Sequence, residues 1–147
     1  MKRKAMFCMF CIAVLITGLL IPAQAEQPQT VDLDLSAMSG TMVYAQVYNM
    51  MVDPDPYLGK MIRLSGLYTC FNDTSAGVVY HACIIPDATA CCAQGIEFIW
   101  AGEHRWPDEY PAEGSTILVT GRLEIYEENG LHYLHLVDAD VEWEKGA

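Results

Sequence analysis

The tetrapeptide Asp53-Pro54-Asp55-Pro56 divides this chain into two parts with different hydrophobic periods. Each proline fixes its own φ and disfavours α geometry in the residue before it, so a helix has to stop here. Upstream, Val43, Val47, Met50 and Met51 fall at i, i+4, i+7 and i+8. That is the apolar stripe of an amphipathic helix over residues 36–52, with Ser36 or Ser39 as its cap. Downstream the period drops to two: Ile62, Leu64, Gly66, Tyr68 and Cys70 share one face, with Arg63, Ser65 and Thr69 on the other. Alternation of that kind is the mark of a strand.

Four more strands follow by the same reasoning. Residues 72–77 read as a turn and 78–85 as a second strand rich in β-branched and aromatic residues. A loop over 86–95 carries Cys91 and Cys92, and a short third strand covers 96–100. Residues 102–114, with two prolines and four acidic side chains, read as a loop that can hold one helical turn. The fourth strand spans 115–126 and the fifth 131–143, and Asn129-Gly130 between them is a strong signal for a tight hairpin. A long connection between the third and fourth strands and a hairpin between the last two suit a Greek-key barrel. Gly66 suits it too, since a strand that coils around a barrel bends at glycine. The expected fold is mainly β: a five-stranded OB-like Greek-key barrel preceded by one N-terminal α-helix. A flatter five-stranded sandwich is the alternative.

The first 25 residues have a separate role. Lys2, Arg3 and Lys4 precede an uncharged apolar run, and Ala23-Gln24-Ala25 supplies a small-x-small cleavage site. This is the pattern of a cleavable secretory signal, with cleavage after Ala25. The apolar run is short for a segment that must span about 20 residues of bilayer, so no stable membrane anchor is expected after cleavage. Residues 26–35 are polar and read as a flexible tether, and 36–147 as the domain. The expected location is extracytoplasmic: secreted, periplasmic or associated with the cell envelope. Loss of the three basic signal residues leaves five Lys and Arg against 19 Asp and Glu, a formal charge of −14. Such a field repels phosphate backbones, so no nucleic-acid partner is expected.

Export frames the cysteines, of which Cys70, Cys83, Cys91 and Cys92 lie after the cleavage site. Cys70 and Cys83 sit on neighbouring strands, His81 shares a strand face with Cys83, and the loop with Cys91 and Cys92 adjoins them. A hairpin can gather these five side chains. Thiolate and imidazole suit zinc, so one reading is a zinc site drawn from Cys70, His81, Cys83, Cys91 and Cys92. Disulfides joining Cys91 or Cys92 to Cys70 or Cys83 are another, and inert thiols a third. His132 and His135 form H-x-x-H, but an offset of three on a strand sends them to opposite faces. His104, in an acidic loop, reads as a surface residue. No nucleophile elbow, phosphate loop or H-E-x-x-H is present. A thiol nucleophile at Cys91 or Cys92, with His81 as base and Glu97 nearby, is the enzymatic alternative. Tyr68, Tyr80, Trp100 and Tyr126 are candidate stacking platforms for a ligand, or else core residues.

The block Tyr57-Leu58-Gly59-Lys60-Met61-Ile62-Arg63-Leu64-Ser65-Gly66 resembles the start of the first strand in many OB-fold proteins, where a Y-x-G-K-x5-G pattern follows a short helix. Residues 87–98, DATACCAQGIEF, resemble a motif in exported bacterial OB-like proteins. More distantly they are similar to the Cys-Cys segment in the soluble domain of zinc-linked membrane proteins. The resemblance covers most of residues 36–143; it implies an OB-like fold and no settled activity. The spanning helices of that membrane family are missing here, so its transport role is not carried over. The sequence therefore leads to an exported, non-catalytic binding or accessory module for a protein or small ligand, with zinc as the candidate cofactor. A small thiol-dependent enzyme using Cys91 or Cys92 is the alternative.

Overall fold

A computed structural model describes residues 30–87, 89 and 91–144. The expected signal and the first part of the expected tether lie outside the described residues. The elements run β1 (Leu33–Asp34), α1 (Gly40–Val52), β2 (Met61–Asp73), β3 (Val78–Pro86), β4 (Ala93–Trp100), β5 (Thr116–Glu128) and β6 (Leu131–Trp143). The described residues are mainly β, one mixed sheet of six strands with a single helix.

The count of six corrects the expected five, and the addition comes from residues expected in the tether. Leu33 and Asp34 pair in parallel with Ile62 and Arg63. Asp32 N donates to Met61 O at 2.8 Å, and Leu35 N donates to Arg63 O at 2.8 Å. Leu35 itself is fully buried. A two-residue parallel strand carries no alternation of its own, which is why the sequence pattern does not disclose it.

The sheet closes on itself. Strand order is β1-β2-β3-β4-β6-β5, and β5 pairs back onto β2. Closure rests on β2, whose first half, Met61–Leu67, pairs with β5 while Leu67–Asp73 pairs with β3. Gly66 stands at the changeover, where a Cβ would lie 2.5 Å from Ile84 O and 2.7 Å from Cys83 Sγ. Only a residue without a side chain allows β3 this close. Strands β4 and β6 run parallel, and β5 with β6 forms the long hairpin. Its turn has Asn129 at φ 52° and Gly130 at φ 77°, the two positive values that a type I′ turn requires.

Inside the ring, Ile62, Leu64 and Tyr68 of β2 meet Cys83, Ile85, Ile96, Phe98, Ile117, Val119, Leu123 and Leu136. Val43, Val47 and Met50 of α1 join the same core, and the helix packs on β3 and β4. Met51, expected on the buried stripe, is instead 54% exposed. The helix starts at Gly40, with Ser39 as an N-cap that makes no side-chain capping bond. Its stability therefore comes from packing rather than from its ends. Asp53 N closes the last turn on Asn49 O at 2.8 Å. No helix of the described residues is long and apolar enough to cross a membrane.

Candidate functional site

The ladder between β3 and β4 runs from Pro86↔Ala93 to Ala82↔Glu97 and goes no further. Beyond it β3 continues beside β2, while β4 follows β6 through an irregularity between Phe98 and Trp100. The two strands part, and a cleft of about 620 Å³ opens between them.

Rings form its inner wall. His81 lies face to face with Tyr110, their centroids 4.0 Å apart at 17°, and beside Phe98 at 6.1 Å. Trp100 is stacked by His104 at 3.5 Å and 8°, and His104 Nε2 donates to Ala101 O at 2.8 Å. Tyr68 OH is 2.8 Å from His81 Nδ1. Burial lowers the His81 pKa and, as the largest cause, raises that of Tyr68. Desolvation thus favours the uncharged forms of both, an imidazole and a phenol in hydrogen-bond contact.

The outer lip carries polar groups. Tyr126 OH donates to Glu97 Oε2 at 2.5 Å, and His135 lies against Tyr126 at 4.7 Å. Tyr80 OH donates to Glu128 Oε1 at 2.6 Å, and that bond is the main reason its pKa is pushed up to about 12. Burial raises the Tyr126 pKa, with Glu97 adding to it, and lowers that of His135 against the pull of Glu124 and Glu97. Among the described residues, Glu97 and Glu103 line the cleft and no Lys or Arg does.

Three of the four aromatic residues expected as stacking platforms, Tyr80, Trp100 and Tyr126, line this cleft, whereas Tyr68 is buried beneath it. His104, expected at the surface, is half-buried against Trp100. His135 lines the cleft, and His132 is exposed near Glu127. Tyr110 is one contributor that sequence reasoning missed. It comes from the long connection before β5, where no periodicity signals position.

The five residues expected as one metal or disulfide cluster are not gathered. Cys70 faces His81 across the β2–β3 ladder, and its Sγ contacts Glu113 Oε2 at 3.6 Å. Glu113 also holds the Thr69 hydroxyl through a short hydrogen bond. Cys83 is fully buried, and desolvation pushes its thiol up to about 12. Cys91 and Cys92 are exposed at the opposite end of the β3–β4 hairpin. The reason is strand length: β3 runs straight on to Pro86, and at about 3.3 Å per residue this puts Asp87 roughly 20 Å along the chain from His81. The four cysteines among the described residues are free, and even the neighbouring sulfurs of Cys91 and Cys92 are 3.7 Å apart. Asp87, Cys91 and Cys92 do come together, with one ligand atom from each lying within 4.8 Å of the others. Asp87 was within the motif read from the sequence, but nothing there marked it as the residue the thiols would face.

Comparison of the chain with protein-family models, curated proteins and solved structures finds no match.

Proposed function

We propose that this protein is an exported, non-catalytic ligand-binding module, with the cleft between β3 and β4 as its site. The observation that carries the reading is that cleft: an opening in an otherwise closed sheet, walled by His81, Trp100, His104 and Tyr110 and edged by Glu97. Rings at a concave site offer apolar stacking area, and a few polar groups orient the guest. Counted from β2, the ring order is first, second, third, fifth, fourth, with third and fifth parallel. This order supports an OB-like Greek-key barrel with β1 added at its edge. In folds of that type the face of the second and third strands, here β3 and β4, is a customary binding surface. The leader-like first 25 residues support export.

The chemistry of the lining narrows the guest to a small neutral or cationic molecule with a flat apolar face. Two carboxylates in the wall and a strongly acidic domain oppose an anion, nucleic acid included. Position weighs against the thiol-enzyme alternative: Cys91 and Cys92 lie at the far end of the β3–β4 hairpin from His81, the base it requires.

The test is an NMR titration of the protein with ring-bearing fragments in neutral, cationic and anionic sets. Neutral and cationic fragments should move the Trp100 indole resonance, anionic ones should not, and Tyr110→Ala should weaken binding up to about tenfold, the loss of one ring contact. Fragments that perturb only distant residues, or that bind Tyr110→Ala unchanged, would refute the assignment.

A further inference from the structure

We propose that Asp87, Cys91 and Cys92 form a three-ligand site for a borderline or soft divalent ion such as zinc, with the fourth coordination position open to solvent. The site is separate from the cleft and replaces the ligand set expected from sequence.

The loop is closed by its own backbone, Asp87 N donating to Cys92 O at 2.8 Å. Closure returns Cys92 to the start of the loop and turns both thiols toward one carboxylate. Cys91 Sγ lies 3.4 Å from Asp87 Oδ2 and 3.7 Å from Cys92 Sγ. These spacings can be set against a metal centre. With metal–sulfur bonds of about 2.3 Å and a metal–oxygen bond of about 2.0 Å, a regular tetrahedron has a sulfur–sulfur edge of about 3.8 Å and a sulfur–oxygen edge of about 3.5 Å. Both observed separations fall within a tenth or so of an ångström of those edges. The third edge, from Cys92 Sγ to an Asp87 oxygen, is within 4.8 Å, so an ion can enter as Cys92 closes on the carboxylate, displacing the two thiol protons to solvent.

Ligand type selects the ion. Calcium and magnesium require six or more oxygen donors, and thiolates suit zinc, cadmium, cobalt or copper(I). Cys91 and Cys92 are both exposed, so an outside donor can reach the fourth position. Three protein ligands and one open position is the arrangement of zinc sites that exchange a ligand, in contrast to closed four-ligand structural sites.

Cobalt(II) added to the reduced protein provides the test, as a coloured stand-in for zinc. One equivalent should produce thiolate-to-cobalt charge-transfer absorption that zinc then removes. Cys91→Ser and Cys92→Ser should each cut the band by about half per thiolate lost, and Asp87→Asn should keep it but weaken affinity by at least about tenfold. Circular dichroism should show all three variants folded, since the side chains changed lie on an exposed loop. Absence of the band at stoichiometric cobalt would overturn the proposal. So would a band that survives both serine variants, which would place the thiolates at Cys70 and Cys83.

Discussion

Replacing Gly66 with alanine probes the closure of the sheet at its tightest point. The added Cβ would stand 2.5 Å from Ile84 O and 2.7 Å from Cys83 Sγ, where ordinary contact begins at 3.4 Å. Relief requires β3 to draw away from β2 by most of an ångström, at the register pair Leu67↔Ile84. Overpacking of this kind costs about 1–3 kcal/mol. Alanine recovers about 0.4–1 kcal/mol by restricting the unfolded chain, so the net loss should be about 1–2 kcal/mol. For a domain of this size that lowers the melting temperature by about 3–12 °C, read by thermal circular dichroism. A double-mutant cycle refines the test. With Cys83→Ala in the background the sulfur contact is gone and the carbonyl contact stays, so the cost of Gly66→Ala should fall but not vanish. A melting temperature unchanged or raised by Gly66→Ala alone would refute the close approach of β2 and β3, and with it the account of how the ring closes.

Gly130→Val places a β-branched residue at φ 77° and should destabilise the β5–β6 hairpin by about 1–3 kcal/mol in denaturant titration. Burial lowers the pKa of His81 and His135 below the ordinary 6.5, so near that pH the unfolded chain holds protons that the folded chain does not. Their contribution to stability is full above about pH 6.5 and declines as pH falls below it; melting temperatures across pH 5 to 8 should show that slope, and His81→Gln should flatten it. Expression with export should yield a product beginning at Glu26 by intact mass, and retention of Met1 in a membrane fraction would count against the leader.

Local pattern made some of this architecture legible and left the rest hidden. The last strand is found at residues 131–143 from sequence and in the structure alike, because Asn129-Gly130 sets one end and alternation carries the rest. Val43, Val47 and Met50 are buried because helical spacing alone puts them on one stripe, and Met51 escapes because it lies at the stripe's edge. Ring closure is a pairing of Met61–Leu67 with residues 49 to 61 positions further along the chain, and no local pattern encodes that partner. The third strand begins at Ala93 and not at 96, since Ala93, Gln94 and Gly95 have weak strand propensity and are held by pairing with β3. That extension decides the fate of the cysteines: a longer hairpin carries Cys91 and Cys92 away from Cys70, His81 and Cys83. The cleft was legible in its strand-borne members, Tyr80, Trp100 and Tyr126 as rings and His81 with Glu97 as the polar pair of the enzymatic alternative. His104 and Tyr110 reach it by the path of a loop.

The cleft's role as the binding site is tested most directly by intermolecular nuclear Overhauser effects from a saturating neutral or cationic ring fragment. The account predicts effects between fragment protons and the rings of Trp100 and Tyr110, with Glu97 and His135 at the periphery. Effects confined to the exposed rings of Tyr48 or Tyr133, with none to Trp100 or Tyr110, would contradict it.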